Sequence, residues 1–471
     1  MMPDTTRSLA SRLLGPATAI FTLLLAAGLA AQPAARREKL YESLGSGVAL
    51  LIAEPDYSTS WQAHRYDPGY FVGEFKQEVH FYYLTGLGES TSNAVLMMDG
   101  QKRETTLYVL DTSDEKKRAL RAKGFNRIEP RSALVPALEG MADRHPPVYL
   151  LLGRAEGEVP FPKTKNFPEG LDEPTDRQRD FQTSLEGRFP WMAFRNLDPI
   201  LSEMRAVKDE EEIAAIRRAV EISSLGLLET LRSIKPGVRE SELSGVSRFV
   251  FRQEGAQRIA YSADLQSGPN FTKSFIEMFN HYNKLDRVME AGEVMLVDLS
   301  CEYNYFKTDL ARTAPVSGKF TAKQRALYDL YLIAYRAALD TIRPGVTQRD
   351  IALASVDAMK AQLPELEQDY LRRGAESYIE RHGSGAPLGH YVDYYLGGAG
   401  DRTKPLVAGQ VFVIEPVIRL PEMNHFRVTL EDMILVTETG HEVLSSLLPM
   451  EADAIEKLIA EPGLLETYRD R

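Results

Sequence analysis

Four acidic residues interrupt apolar, β-prone segments in the C-terminal half of the chain. Asp298 ends the run Met295-Leu-Val-Asp298, and Asp309 lies in a second β-like run further on. A turn at Tyr303 and Asn304 would close a hairpin and place the two aspartates directly opposite each other. Like charges that face each other across a strand pair destabilise it, and a divalent cation offsets that repulsion.

A second pair of segments repeats this arrangement. Glu415 follows the apolar run Gln410-Val-Phe-Val-Ile, and Glu431 lies within Arg427-Val-Thr-Leu-Glu431-Asp-Met-Ile-Leu-Val. Leu420-Pro-Glu-Met-Asn424 is expected to be the connecting loop. One acidic residue at a strand end is commonly a turn starter or a helix cap. Four carboxylates in two paired, otherwise apolar hairpins instead predict a metal site.

The preceding part of the chain has a mixed α/β pattern. Residues 155–185, rich in Pro, Glu, Lys and Asp, are expected to form a long loop, and a helix over Leu201–Ala219 then opens the second half. We therefore place a domain boundary near residues 197–202. The buried strands predicted in the first half are Val48–Ala53, Thr105–Leu110 and Val148–Leu152.

A weak internal repeat follows this boundary. Ile234-Lys-Pro-Gly and Ile342-Arg-Pro-Gly each end a helical stretch and precede a polar residue that can cap the next helix. A duplicated half-domain would bring both acidic hairpins to a shared centre. The alternative is two unrelated copies of a common helix–turn–helix.

Composition and the N-terminus restrict the class of protein. The 471 residues, 44% hydrophobic and 26% charged, are typical of a globular chain, and a net charge of −11 without a basic stripe argues against nucleic-acid binding.

Arg7 and Arg12 precede an apolar stretch with small residues at Ala30 and Ala31, which predicts a signal peptide over residues 1–31 and a periplasmic or secreted protein. A retained anchor is the alternative; no later segment is apolar enough to span a membrane. The single cysteine, Cys301, is expected to be a buried packing residue.

These motifs resemble the pita-bread metallopeptidases, the family of methionine aminopeptidase, aminopeptidase P and prolidase (M24). The paired aspartates, Ile414-Glu-Pro416, Leu430-Glu-Asp432 and His281-Tyr282 carry the resemblance, and Phe75–Gly86 is similar to the N-terminal domain of aminopeptidase P and prolidase. The resemblance implies an α+β protein: an N-terminal domain over 36–199, then a pita-bread catalytic domain over 200–465, with duplicated α/β halves around a curved antiparallel sheet.

The resemblance also implies residue roles. Asp298, Asp309, Glu415 and Glu431 match four of the five ligands of a two-metal centre, with Asp309 and Glu431 bridging the ions. His281 matches a histidine that contacts substrate or stabilises the intermediate, and His382 matches another active-site histidine. Glu415 would also shuttle a proton.

The chain departs from the family at the fifth ligand, a histidine. An ungapped alignment puts Ala386 in that position and Asp393 where a second substrate-contacting histidine is expected. Three interpretations stay open: a shift of register brings in His390, the site uses carboxylates and water, or the second metal is lost. The family's arginine two residues before the last glutamate is Thr429 here, with Arg427 nearby.

The implied enzyme is an Xaa-Pro aminopeptidase-like or prolidase-like hydrolase. It would use two divalent ions, Mn²⁺ before Zn²⁺, Co²⁺ or Mg²⁺, and a metal-bridging hydroxide would attack the scissile carbonyl. Its substrate would be a peptide with proline at the second position, and relatives of this architecture are often homodimers. The alternatives are a weak or inactive pseudo-peptidase that binds peptides or a partner, and a metal-free hydrolase that would lack these acids.

Overall fold

The computed structural model describes residues 32–55, 75–88, 91–152, 177–273, 277 and 286–469. The predicted signal peptide and His281 therefore lie outside the described residues. The chain divides into two compact units, and the division falls between Met204 and Arg205. The domain boundary predicted at 199/200 stays a prediction. No helix within the described ranges has the length and apolar character needed to cross a membrane.

The first unit is built around a six-stranded sheet. In spatial order the strands are β4, β3, β2, β1, β5 and β6. The predicted strands β1, β3 and β5 are confirmed, with ends within a few residues of those expected. All five residues of β1 are buried, as in a strand that is covered on both faces. The bounds are β1 Val48–Ile52, β2 Val95–Asp99, β3 Glu104–Val109, β4 Arg127–Pro130, β5 Pro147–Leu150 and β6 Ala193–Asn196.

Along the sequence, the helices of this unit lie before, between and after the strands of the sheet. One of them, Arg177–Arg188, corrects the long loop predicted over residues 155–185; residues 153–176 lie outside the described part. Polar side chains cover most of this helix, so the sequence resembled a loop, but Leu185 is buried in the hydrophobic core. The helices span residues 32–44, Val79–Thr85, Asp114–Ala122, Leu134–Glu139, Arg177–Arg188 and Asp198–Ala206.

The second unit contains two long helix pairs. The helix predicted over Leu201–Ala219 is in fact broken: one helix ends at Ala206, and Asp209 caps the next in a capping box with Glu212. The sequence Ile234-Lys-Pro-Gly joins the first pair and Ile342-Arg-Pro-Gly joins the second, as the repeat predicts. The helices are Glu210–Arg232, Glu240–Gln253, Ala322–Thr341, Gln348–Gln362, Asp369–His382, Ala452–Ile459 and Leu464–Arg469.

Short antiparallel sheets complete the second unit, and the acidic residues lie in their strands or directly beside them. Their strands are β7 Arg258–Ile259, β8 Asp264–Ser267, β9 Val294–Asp298, β10 Cys301–Tyr303, β11 Phe306–Lys307, β12 Ala311–Pro315, β13 Val411–Ile414, β14 Val417–Leu420, β15 Phe426–Thr429, β16 Asp432–Val436 and β17 His441–Val443. Cys301 is fully buried beside Ser223, and burial raises the pKa of its thiol to about 12. The predicted packing role of Cys301 is confirmed.

Candidate metal centre

The first acidic hairpin forms, but in a different register from the one predicted. Asp298 lies opposite Ala311 in the β9–β12 pair, not opposite Asp309. The turn is made by Asn304 and Tyr305, with φ of 49° and 73°. Two consecutive left-handed residues match the twist of a two-residue hairpin, and asparagine tolerates this conformation well. Moving the turn by one residue moves the pairing by two, so Asp309 precedes β12 instead of facing Asp298.

The second acidic hairpin is interrupted where its glutamates lie. β13 pairs with β16 as far as Ile414 opposite Asp432, and β14 pairs with β15 from Val417 opposite Thr429. Glu415 and Glu431 therefore both lie in the unpaired gap between the two ladders. Pro416 has no amide hydrogen to donate, which explains why the ladder breaks at this point.

Backbone hydrogen bonds join the two hairpins. The Glu431 amide donates to the Ala311 carbonyl at 2.9 Å, and the Ala311 amide donates to the Glu431 carbonyl at 3.3 Å. This bridge places Asp309, two residues before Ala311, beside Glu431. The sheets thus bring together acidic residues that are more than a hundred positions apart in sequence.

His390 is carried to the same place by a neighbouring segment. The Glu415 amide donates to the Leu388 carbonyl and the Val413 amide to the His390 carbonyl, each at 2.8 Å. Gly389 allows this approach, since a Cβ at that position would collide with the Val413 carbonyl oxygen. The segment lies along β13 as an added strand would.

The His390 ring points at the carboxylates. Its Nε2 lies 3.4 Å from Asp309 Oδ2 and 3.9 Å from Glu415 Oε1. Its Nδ1 lies 3.0 Å from the Tyr391 carbonyl oxygen and 3.3 Å from the Gly397 amide nitrogen. The shorter contact favours a protonated Nδ1, which leaves Nε2 as the ligand atom.

Ala386, by contrast, is exposed, so the ungapped alignment that put it in the ligand position is wrong. Of the three interpretations left open by the sequence, the geometry favours the one in which His390 enters the site. The alignment failed because His390, four residues further on and adjacent to Gly389, is the histidine that lies beside the carboxylates.

The charges of this cluster fit a bound cation. Ligand atoms of Asp309, His390 and Glu431 lie within 4.8 Å of one another. Burial and the charge of Asp309 raise the pKa of both Asp298 and Glu431 well above the usual range. Burial opposes protonation of His390, but Asp309 and Glu415 raise its pKa to about 9. Carboxylates this strongly repelled, with one imidazole, are a donor set for a divalent ion.

One oxygen atom also lacks a partner. Glu431 Oε1 is buried and accepts no hydrogen bond from any described residue. A buried carboxylate oxygen left in this way is costly unless a cation satisfies it. The residues present therefore fit a metal ion on geometry, charge and hydrogen-bonding capacity.

Tyr261 supports the cluster and was missed by the sequence analysis. Its hydroxyl donates a 2.5 Å hydrogen bond to Asp298 Oδ1. Tyr261 lies between β7 and β8, and no spacing in the sequence links it to Asp298. The bond fixes one carboxylate oxygen and leaves the other for a ligand role.

His382 is placed differently from the role that the resemblance implied. Its Nε2 accepts a 3.1 Å hydrogen bond from the Val417 amide, and its ring packs 4.6 Å from that of Tyr378. Burial lowers its pKa to about 4, so it is neutral. These contacts occupy the side chain with strand β14, and they do not support a catalytic role.

Asp393 does not occupy a substrate-contacting position either. Its side chain is 1% exposed, and its Oδ2 lies 3.2 Å from Arg205 Nε and 3.8 Å from Lys208 Nζ. The Tyr395 and Ala399 amides donate to its two oxygens. Asp393 is thus a buried anchor for the segment that carries His390, which corrects the expectation from the ungapped alignment.

Comparisons with known proteins show that the chain is similar to metallopeptidases. Residues 214–438 match the model of Metallopeptidase family M24, and residues 34–118 match that of the Aminopeptidase P, N-terminal domain. The chain is 28% identical over 458 residues to the Xaa-Pro aminopeptidase of Escherichia coli, covering 90% of this chain and 96% of that protein. It is 30% identical over 274 residues to the mitochondrial Intermediate cleaving peptidase 55 of Arabidopsis thaliana, covering 56% and 53% respectively.

A solved structure shows the same fold. Proline aminopeptidase P II from Yersinia pestis superposes with a TM-score of 0.71 at 25% identity, covering 92% of this chain and 99% of that one. The pita-bread fold and the separate N-terminal domain predicted from the sequence are confirmed by these matches. The chain is therefore an aminopeptidase P-like metalloenzyme with an M24 metallopeptidase domain.

Proposed function

We propose that this protein is a metal-dependent exopeptidase that releases the N-terminal residue from peptides with proline in the second position. The observation that carries the proposal is the cluster of Asp309, His390 and Glu431, whose ligand atoms lie within 4.8 Å of one another. The similarity to an Xaa-Pro aminopeptidase over 90% of the chain supports it.

We propose that Asp298, Asp309, His390, Glu415 and Glu431 hold two Mn²⁺ ions. A donor set of carboxylates with a single imidazole suits Mn²⁺. Zinc is typically held by sites that are richer in nitrogen and sulfur ligands. Bound there, the ions would acidify water and polarise the scissile carbonyl. Because His390 replaces the ligand that seemed missing at Ala386, the inactive pseudo-peptidase loses its main support.

Glu415 is the residue best placed to move a proton. Its side chain is 39% exposed, whereas those of Asp309 and Glu431 are buried. An accessible carboxylate at the edge of the site can accept a proton at Oε1 and deliver it to the leaving amine. His281 stays a predicted oxyanion-stabilising residue, since it lies outside the described residues.

The test is release of the N-terminal residue from an Xaa-Pro peptide by metal-stripped protein reloaded with Mn²⁺, Zn²⁺, Co²⁺ or Mg²⁺. We expect Mn²⁺ to restore turnover, Asp309→Asn to abolish it and the exposed Asp340→Asn to leave it unchanged. A matched peptide with alanine in the second position tests specificity. No turnover by folded protein with any of these ions would refute the proposal.

Export and assembly are further proposals. The N-terminal segment supports removal of residues 1–31 and a periplasmic or secreted location. The family resemblance supports a homodimer. Sequencing the mature N-terminus and measuring the molar mass by light scattering test the two; a retained segment or a monomer would contradict them.

A further inference from the structure

Two arginines face each other in the hairpin that continues from Glu415. In the β14–β15 ladder, Arg419 is the direct partner of Arg427. Val417, two residues before Arg419, pairs with Thr429, so both arginines lie on the ladder face shared by Val417 and Thr429. Like charges directly opposite each other destabilise a strand pair. The chain retains such a pair next to its candidate metal centre.

Neither of the two guanidinium groups has all of its hydrogen-bond donors paired. The Nε atoms of Arg419 and Arg427 are buried and have no hydrogen-bond partner among the described residues. Arg427 Nη1 lies 3.4 Å from Gln266 Oε1, a long contact, and its guanidinium lies 5.9 Å from the centre of the Phe271 ring. Buried donors of this kind are costly when unpaired, and a guanidinium prefers a planar anion.

Arg381 adds a third positive charge. It precedes His382 at the end of the helix Asp369–His382, and that histidine binds the backbone of β14 at Val417. Burial, Arg427 and Arg381 together lower the pKa of Arg419 to about 10. Ser377, one helical turn before Arg381, donates a 2.9 Å hydrogen bond to the Arg419 carbonyl, so this end of the helix lies beside the strand that carries Arg419.

Negative charges near these arginines do not balance them. Burial lowers the pKa of Arg427, and Asp264, Asp298 and Glu415 oppose that shift. Asp298 and Glu415 belong to the proposed metal site, and bound ions would neutralise their charges there. Asp264, which pairs with Asp298 between β8 and β9, acts on both Arg419 and Arg427.

We propose that Arg381, Arg419 and Arg427 form a subsite that binds a carboxylate of the peptide substrate beyond the scissile bond. This inference rests on the proposed function and deepens it by giving the enzyme a charge preference. A carboxylate would fill the unused donors and offset the repulsion between the facing arginines. Two sources offer this group: the C-terminus of a short peptide, or an Asp or Glu side chain of a longer one.

The test compares three Xaa-Pro peptides of equal length on Mn²⁺-loaded protein: a tripeptide free acid, its C-terminal amide, and an amide with glutamate in the third position. We expect kcat/KM to fall about tenfold from the free acid to the plain amide, as for the loss of a charge-assisted hydrogen bond. Full recovery with the glutamate amide would identify a side-chain subsite, and no recovery a C-terminal one.

Variants assign the preference to these residues. Arg419→Gln and Arg427→Gln should each reduce the ratio of kcat/KM for the acid to kcat/KM for the amide towards one. Arg343 is an exposed arginine elsewhere, and Arg343→Gln should leave this ratio unchanged. Arg419→Lys keeps the positive charge but loses the planar guanidinium group, and it should give an intermediate ratio. Arg419→Gln should also raise the melting temperature without ligand, because it removes one of the facing charges.

Direct binding separates failure of this inference from failure of the proposed function. Calorimetric titration of wild-type protein with Pro-Ala and with Pro-Ala-amide should show tighter binding of the acid, and Arg427→Gln should remove the difference. If the tripeptide acid and its amide are cleaved with the same kcat/KM, the proposed function stands and the subsite is refuted. If neither is cleaved, the titration decides: equal affinities for acid and amide would overturn the inference.

Discussion

His390 Nε2 lies 3.4 Å from Asp309 Oδ2, although Ala386 occupies the position expected from the ungapped alignment. The contact depends on backbone hydrogen bonds that hold Leu388 and His390 against β13, and on the absence of a side chain at Gly389. The relationship places an imidazole beside the carboxylates, where the ungapped alignment left none.

The first prediction tests this relationship. Loss of a group that merely supports a ligand weakens metal affinity by roughly 10- to 100-fold, and loss of His390 itself should cost at least as much. We expect His390→Ala to lose Mn²⁺ affinity and turnover together. Adding Ala386→His to that variant should restore neither, because residue 386 is exposed. Calorimetric Mn²⁺ titration measures the effect, and rescue by the double variant would contradict the assignment.

Tyr261 gives a second prediction. Tyr261→Phe removes the hydroxyl that donates to Asp298 Oδ1 and keeps the ring. A lost supporting hydrogen bond should lower Mn²⁺ affinity by roughly 10- to 100-fold. Unchanged affinity in a folded variant would show that Tyr261 does not position Asp298. Tyr303→Phe, at the far end of the hairpin, is the matched control.

The third prediction concerns Asp393. Asp393→Asn removes the carboxylate charge that pairs with buried Arg205 and Lys208, and breaking a buried ion pair costs about 3–5 kcal/mol of unfolding free energy. Chemical denaturation measures this loss, and the exposed Asp401→Asn is the matched control. A fully stable Asp393→Asn variant would refute the anchoring role.

The same carboxylate predicts a pH dependence. Burial opposes its ionisation, but Arg205 and Lys208 lower its pKa to about 2, below the ordinary value of 3.8. The stability it contributes is complete above its unfolded pKa and declines as pH falls from about 4 to 2. In Asp393→Asn this part of the acid-induced decline should be missing. An unaltered pH profile would contradict the ion pair.

His382 supplies the last prediction. Burial lowers its pKa from 6.5 to about 4, so the unfolded chain binds a proton more readily than the folded chain between these values. The free energy of unfolding should therefore fall as pH is lowered from 6.5 to 4. His382→Asn should flatten the curve in this window. A slope equal to that of the wild type would show that His382 is not a buried, neutral support for β14.

The sequence by itself determined the acidic residues and much of the secondary structure, and its resemblance to a known family implied the fold. Asp298, Asp309, Glu415 and Glu431 are recognisable because charged residues are rare inside apolar strands. The two Pro-Gly turns and the buried strands of the first unit are local patterns too. Local chemistry sets such features, so one sequence suffices to predict them.

Tertiary structure decided the register, the placement of His390 and the support around the site. Left-handed Asn304 and Tyr305 moved the hairpin turn, and the pairing beside β13 brought in His390 in place of Ala386. The contacts of Tyr261 with Asp298, and of Asp393 with Arg205 and Lys208, join residues distant in sequence. No local propensity encodes these contacts, because they arise only when separate strands and helices pack together.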